Sequence, residues 1–259
     1  MKKYELTTET IDFLGKTLFR IKALMDFGTV KSGDLGGYIE SENNLSHDGN
    51  AWVGYDAWVI DNAKVGGNSD VGGNVLVRDY AWIGDNAKVG GNAWVGGNAW
   101  VGDNAKIIDN AEVGGYAWVR GNAKIGGNAK IGGNAKVYGD SWVSGNALVG
   151  GNAKVIDNAK VIGNAEVGGY ANLCGDANVC SDALVGDNAD YTTIKGFGTR
   201  FRNTTFFRCK DNTVKVSCGC FLGTIDEFRE QVKKTREGKV AEEYLMIADL
   251  MEFHFRKKE

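Results

Sequence analysis

The chain is predicted to be mainly β: a parallel β-solenoid of nearly eight triangular coils over residues 51–190, between an N-terminal cap (1–50) and a C-terminal hairpin with two helices (191–259). Three observations predict it. Twenty-three aliphatic residues stand six apart from Val53 to Val185 without a slip. A small residue lies two places before each: from Ala51 to Ala189 that column holds 21 Ala, Ser69, Ser141 and Val75. Between successive pairs come Gly-Gly, Gly-Asn, Asp-Asn or Gly-Asp, residues that tolerate positive φ and favour tight turns. So strict a register means that every unit occupies the same environment in a stacked solid.

Each element follows from these columns. The aliphatic residue and the small one are two apart, so they share a face of a short strand. The polar pair makes a corner. Three six-residue units close a triangle of 18 residues, and the triangles stack at about 4.8 Å. The interior is then a column of Val and Ile over a column of Ala, and a larger residue in the Ala column would collide across the narrow triangle. Residues 1–50 lack the period and are expected to cover the open end of the coil stack, which would otherwise expose strand edges and apolar core. Beyond Ala189, Thr204–Arg208 and Val214–Cys218 alternate like strands around the turn-prone Lys210-Asp211-Asn212. Thr224-Ile225-Asp226-Glu227 has the form of a capping box opening a helix, with Ile225, Phe228 and Val232 on its inner stripe. Gly238 separates this from a second helix that turns Tyr244, Ile247 or Ala248, and Met251 inward.

The unit, as in Ile125-Gly126-Gly127-Asn128-Ala129-Lys130, resembles the hexapeptide repeat of left-handed parallel β-helix proteins over about residues 51–190. The left hand is what that resemblance implies; periodicity does not show it, and it departs from the usual right-handed crossover. The segments Gly33-Asp34-Leu35-Gly36-Gly37-Tyr38-Ile39 and Ala51-Trp52-Val53 resemble the N-terminal part of hexapeptide-repeat proteins of bacteria and their prophages, some classed as transferases and others as polymer-forming. Asn203–Arg208, Val216–Phe221 and Gly223–Phe228 resemble a tail of phage-encoded members. A phage or prophage origin is what these likenesses imply.

Composition narrows the function classes. The net charge of −3 over 259 residues disfavours a chain-wide polyanion-binding role, and no double-stranded nucleic acid partner is expected. Residues 191–259 nevertheless carry 14 Lys and Arg against 10 Asp and Glu, which leaves room for a local basic site. No apolar run follows Met1-Lys2-Lys3 and none approaches a membrane span, so a cytoplasmic location is expected, the host's if the chain is phage-encoded. Five cysteines, an odd number, suit free thiols better than a disulfide framework. Cys218-Gly219-Cys220 has the wrong spacing for a zinc knuckle, and the Asp of the Asp-Asn corners do not match the nine-residue calcium repeat. No metal and no cofactor is expected.

Acyltransferases of the resembled family use a histidine base near a loop that projects from the coil. No insertion interrupts the units from Val53 to Val185, and the two histidines lie outside them. His47, beside Asp48, is the candidate base only if the chain is a transferase using an acyl-CoA donor; the expected role of this residue is a solvated turn. The outward column says more. All seven Trp stand immediately before an aliphatic residue, so they face out. Positions 18 apart stack, which places Trp82, Trp100 and Trp118 in one ladder and Trp58, Leu76 and Trp94 in a shorter apolar stripe on the next face. Burying three indoles between copies would contribute on the order of 10 kcal/mol before association costs, so a homo-oligomer, by analogy a trimer, is expected through Trp58, Trp82, Trp94, Trp100 and Trp118. The competing arrangement lays the indoles flat along the sheets of a monomer. Finally, Lys195, Arg200, Phe201, Arg202 and Arg208 mix cations and aromatics in a stretch without carboxylates, a pattern that suits phosphate contact and stacking. The alternative is a hairpin whose Phe residues plug the last coil. The expected function is a non-catalytic binding or scaffold protein that self-associates and holds a host protein or a small anionic, nucleotide-like ligand.

Overall fold

The computed structural model describes residues 1–256. Residues 1–50 are more ordered than a plain cap. Strands β1 (Tyr4–Phe13) and β2 (Lys16–Ala23) form an antiparallel hairpin. Leu14 and Gly15 join them at φ 50° and 76°, the mirror-image turn whose twist suits a hairpin. β3 (Leu35–Ile39) pairs antiparallel with β2 and parallel with Trp58-Val59, so the hairpin extends a face of the solenoid. The Gly36-Gly37 pair permits this close approach. A Cβ on Gly37 would lie 2.3 Å from the Ala57 carbonyl oxygen, and one on Gly36 would lie 2.5 Å from that of Val53.

Twenty-three two-residue strands follow, β4 (Trp52–Val53) to β26 (Leu184–Val185), and along the shaft each pairs with the strands 18 residues before and after it. They form three parallel sheets, the walls of a parallel β-solenoid of about eight turns. Wall one carries outward residues Trp58, Leu76, Trp94, Glu112, Lys130, Leu148, Glu166 and Leu184. Wall two carries Lys64, Trp82, Trp100, Trp118, Lys136, Lys154 and Asn172. Wall three carries Trp52, Asp70, Lys88, Lys106, Lys124, Trp142, Lys160 and Asn178. These are the rows expected from an 18-residue coil. The inward Val, Ile and Ala are fully or almost fully buried in one continuous core.

The corners explain the remaining residue choices. Asn side chains 18 apart hydrogen-bond in rows, as in Asn86 to Asn104 to Asn122 (3.3 and 3.2 Å). The residue that turns the corner, before the Asn or before Tyr80, has positive φ and is Gly or Asp, as at Gly121, Asp79 and Asp103. Where it is Asp, the carboxylate accepts the backbone N–H of the next coil: Asp79 from Gly97 at 2.8 Å, Asp103 from Gly121 at 2.9 Å, Asp109 from Gly127 at 2.8 Å and Asp157 from Gly175 at 2.9 Å. The corner aspartates thus satisfy backbone donors. Among the described residues no group of three or more His, Cys, Asp or Glu is placed to hold a metal.

Both ends of the core are sealed by aromatics. Tyr4 closes the first coil, its hydroxyl donating to the Leu45 carbonyl at 2.8 Å. Phe207 and Cys209 close the last. The C-terminal module has more strands than the single hairpin expected: β27 (Tyr191–Phe197), β28 (Arg202–Arg208), β29 (Val214–Cys218) and β30 (Phe221–Thr224) form a four-stranded antiparallel sheet. Alternation along β28 sends Phe207 into the solenoid and Phe206 into a second core with Phe228, Tyr244, Ile247 and Met251. Helix α1 (Ile225–Thr235) opens on the capping box read from Thr224 and Glu227, and α2 (Gly238–Phe255) begins at the glycine expected to separate the helices. Gly219 and Cys220 form the turn between β29 and β30. All five cysteines are free.

Candidate functional site

Wall two holds the indole ladder. Trp82 pairs in register with Trp100, and Trp100 with Trp118. Their rings meet edge to face, with centroids 5.3 and 5.2 Å apart, a favoured aromatic geometry. The rings also lie down on the wall, and the residue two places on decides how far. Trp82 covers Gly84, where a Cβ would lie 2.0 Å from its ring, and Trp94 covers Gly96 at 2.5 Å. Trp118 and Trp142 precede Arg120 and Ser144 instead, and they stand out further, 36% and 46% exposed. Arg120 lies over the Trp100 ring at 4.6 Å, and Lys136 over Trp118 at 5.0 Å. Two corner tyrosines widen the patch. Tyr80 and Tyr116 are 67% and 62% exposed beside the strands of Trp82 and Trp118. A groove of about 400 Å³ lined by Asn62, Lys64, Tyr80 and Trp82 opens at one edge. The five aromatics together offer roughly 350–600 Å² beyond what the chain already covers, the size of the largest apolar patch on a typical monomer, which is often functional.

Wall one differs. Phe13 of the hairpin packs on Trp58 at 4.7 Å, and Trp58 and Leu76 join a cluster with Leu18, Tyr38 and Ile60. The chain's own N-terminus therefore covers Trp58. Trp94 lies under Arg78 at 5.1 Å.

His47 sits where the coil register changes. Ile39 and Leu45 pair with residues 20 places on, Val59 and Val65, whereas Val53 pairs with Val71, 18 on. Two extra residues between Leu45 and Val53 thus carry His47 out of the coil. Its ring stacks on Tyr4 at 4.3 Å. The imidazole Nδ1 accepts the Lys3 backbone N–H at 3.4 Å, and Nε2 lies 3.8 Å from a Glu42 oxygen. Nε2 is buried and makes no hydrogen bond. Lys3 is buried beside it and donates to the Gly49 and Ala51 carbonyls at 3.2 and 2.9 Å. Burial brings its pKa down to about 8, with Asp48 opposing the shift. A groove of about 780 Å³ runs past Glu42, Asn44, His47, Lys64 and Trp82. Nothing in the six-residue period pointed to this groove.

The C-terminal basic segment is largely engaged within the chain. Lys195 pairs with Asp176 at 3.0 Å. Arg208 pairs with Asp190 at 3.4 Å and donates to the Phe255 carbonyl at 2.8 Å. Arg202 runs along Gly219 and lines a cavity of about 90 Å³ with Cys218, Phe228 and Tyr244. Arg200 and Phe201 are exposed, Phe201 at φ 48°.

The fold and this surface define a class: a capped parallel β-solenoid with an aromatic wall. No protein-family model matches the chain, and no curated protein does. Among solved structures, a Bacillus cereus protein titled "putative acetyltransferase" aligns over 82% of this chain and 96% of its own, with 11% identity and a TM-score of 0.31. So loose a likeness transfers no chemistry. No helix among the described residues is long and apolar enough to cross a membrane.

Proposed function

We propose that the chain is a non-catalytic scaffold whose copies associate side by side through wall two. The observation that carries this reading is the aromatic run formed by the stacked Trp82, Trp100 and Trp118, flanked at the corner by Tyr80 and Tyr116, on a wall that the N-terminal hairpin leaves free while it covers Trp58 on wall one. Burying the run would contribute about 9–15 kcal/mol before association costs. The indoles alone would contribute less than a fully exposed ladder, because they already lie against glycines.

The alternative, an acyltransferase, needs an unprotonated nitrogen facing a substrate. His47 is poorly placed for this: Nδ1 accepts the Lys3 backbone N–H, and Nε2 is buried 3.8 Å from a Glu42 oxygen. Light scattering on the wild type and on Trp100→Glu tests the scaffold reading. A multiple of the 27.9 kDa chain mass that falls to one chain in the variant supports it. A single-chain wild type, or turnover of acetyl-CoA abolished by His47→Gln, overturns it.

A further inference from the structure

Wall three carries a second row that the proposed self-association does not use. Lys88, Lys106 and Lys124 lie directly opposite one another on successive coils, followed in the same row by Trp142 and Lys160. All four lysines are exposed, and none makes an ion pair among the described residues. Carboxylates on the flanking corners are engaged by other donors: Asp85 accepts from Asp103 N–H, Asp103 from Gly121 N–H and Arg120, Asp109 from Gly127 N–H, and Asp176, the carboxylate near Lys160, pairs with Lys195. Asp70 continues the row beyond Lys88.

Like charges directly opposite on neighbouring strands repel. The fold does not impose them, since the same outward column elsewhere accepts Trp, Leu, Glu, Asn and Asp. Elsewhere such charges are met: Lys130 pairs with Glu112 at 2.9 Å, and of the two lysines opposite each other on wall two, Lys136 lies over the Trp118 ring. Nor does a second copy supply the missing charge, because no wall of the solenoid carries a matching acidic row; wall one alternates Glu112, Lys130, Leu148 and Glu166.

We infer that this row is a binding strip for a linear acidic polysaccharide, a chain with a carboxylate or sulfate recurring along it. Three features fit that chemistry. The cations repeat with the coils at about 4.8 Å, on the scale of one extended sugar unit. The Asn rows on both flanking corners donate one amide hydrogen along the row (Asn86 to Asn104 at 3.3 Å, Asn92 to Asn110 at 3.0 Å), which leaves the second free for sugar hydroxyls. Trp142, 46% exposed within the row, adds an aromatic surface against which a pyranose ring can pack beside Lys160, whose ammonium lies 5.9 Å from the ring centroid. Single-stranded nucleic acid fits less well, because it calls for successive stacking platforms and the basic row holds one indole.

The test is titration of the full chain with polygalacturonate, dextran sulfate, neutral dextran and a thymidine oligonucleotide at low salt. The inference predicts binding of at least one acidic polysaccharide, none of dextran, and weaker binding of the oligonucleotide. Replacing Lys88, Lys106, Lys124 and Lys160 together by Gln should weaken binding about tenfold, the product of four exposed ion pairs, without lowering the melting temperature, because the replaced like charges repel one another. The four Lys→Arg replacements should retain affinity. Gln at the ion-paired Lys31, Lys130, Lys233 and Lys239 should cost little. No binding of either acidic polysaccharide, equal loss in both Gln sets, or tighter binding of the oligonucleotide through the row would each overturn the inference.

Discussion

Phe206 and Phe207 are neighbours in one strand and serve different cores, so their removal should have separable effects. Both are fully buried (0% exposed). Phe207 seals the last coil, and Phe206 packs edge to face on Phe228 with centroids 6.2 Å apart. A buried Phe removes roughly 150–250 Å² from water. At about 25 cal/mol/Å² this gives about 4–6 kcal/mol, close to the ~3–5 kcal/mol that Phe→Ala typically costs in a core. In a solenoid each coil contacts only its neighbours, so the damage should stay local. Hydrogen exchange read by mass spectrometry distinguishes the sites. Phe207→Ala should deprotect the last coils, about residues 171–185, more than α1 and α2. Phe206→Ala should deprotect the helices first. Helix exchange that rises as much as coil exchange in Phe207→Ala, or last coils unchanged in that variant, would refute the end-plug assignment.

Three further outcomes are expected. Asp103→Ala strands the Gly121 N–H and should cost about 1 kcal/mol in urea denaturation, whereas Asp103→Asn, which keeps an acceptor, should cost less. The Gly121 N–H and then Arg120 hold the Asp103 carboxyl below its usual range. Its contribution is therefore present above the unfolded carboxylate pKa and is lost as pH falls through the lower folded value, so wild type minus Asp103→Asn stability should shrink in acid. Lys3 acts in the opposite sense. Its folded pKa of about 8 lies below the unfolded value, so the folded state sheds the proton first. Wild-type stability relative to Lys3→Met should rise between about pH 8 and 10, by up to ~1 kcal/mol per unit; a flat difference would contradict burial of the amine.

Much of this architecture is legible in the sequence because the repeat does not slip. With an 18-residue coil, residue number alone assigns Trp82, Trp100 and Trp118 to one row and Lys88, Lys106 and Lys124 to another. The capping box at Thr224 and the break at Gly238 are local signals and read directly. What escaped depends on contacts distant in sequence. The β1–β2 hairpin shields Trp58 through Phe13, 45 positions away, and its own alternation is weak because little of β1 is buried. Whether an indole lies flat is decided by the Gly two places on, as at Gly84 and Gly96, a small signal inside a repeat already rich in Gly. Tyr80 and Tyr116 stand at corners, where the strand pattern carries no information. The hydrogen bond that His47 accepts comes from the backbone of Lys3, 44 residues earlier.

Small-angle X-ray scattering at micromolar concentration tests the central claim most directly, because it reads mass, rod length and cross-section together. Association through wall two predicts a multiple of 27.9 kDa in a particle as long as one solenoid but thicker in cross-section. A single-chain mass, or a rod lengthened at unchanged thickness, would contradict it.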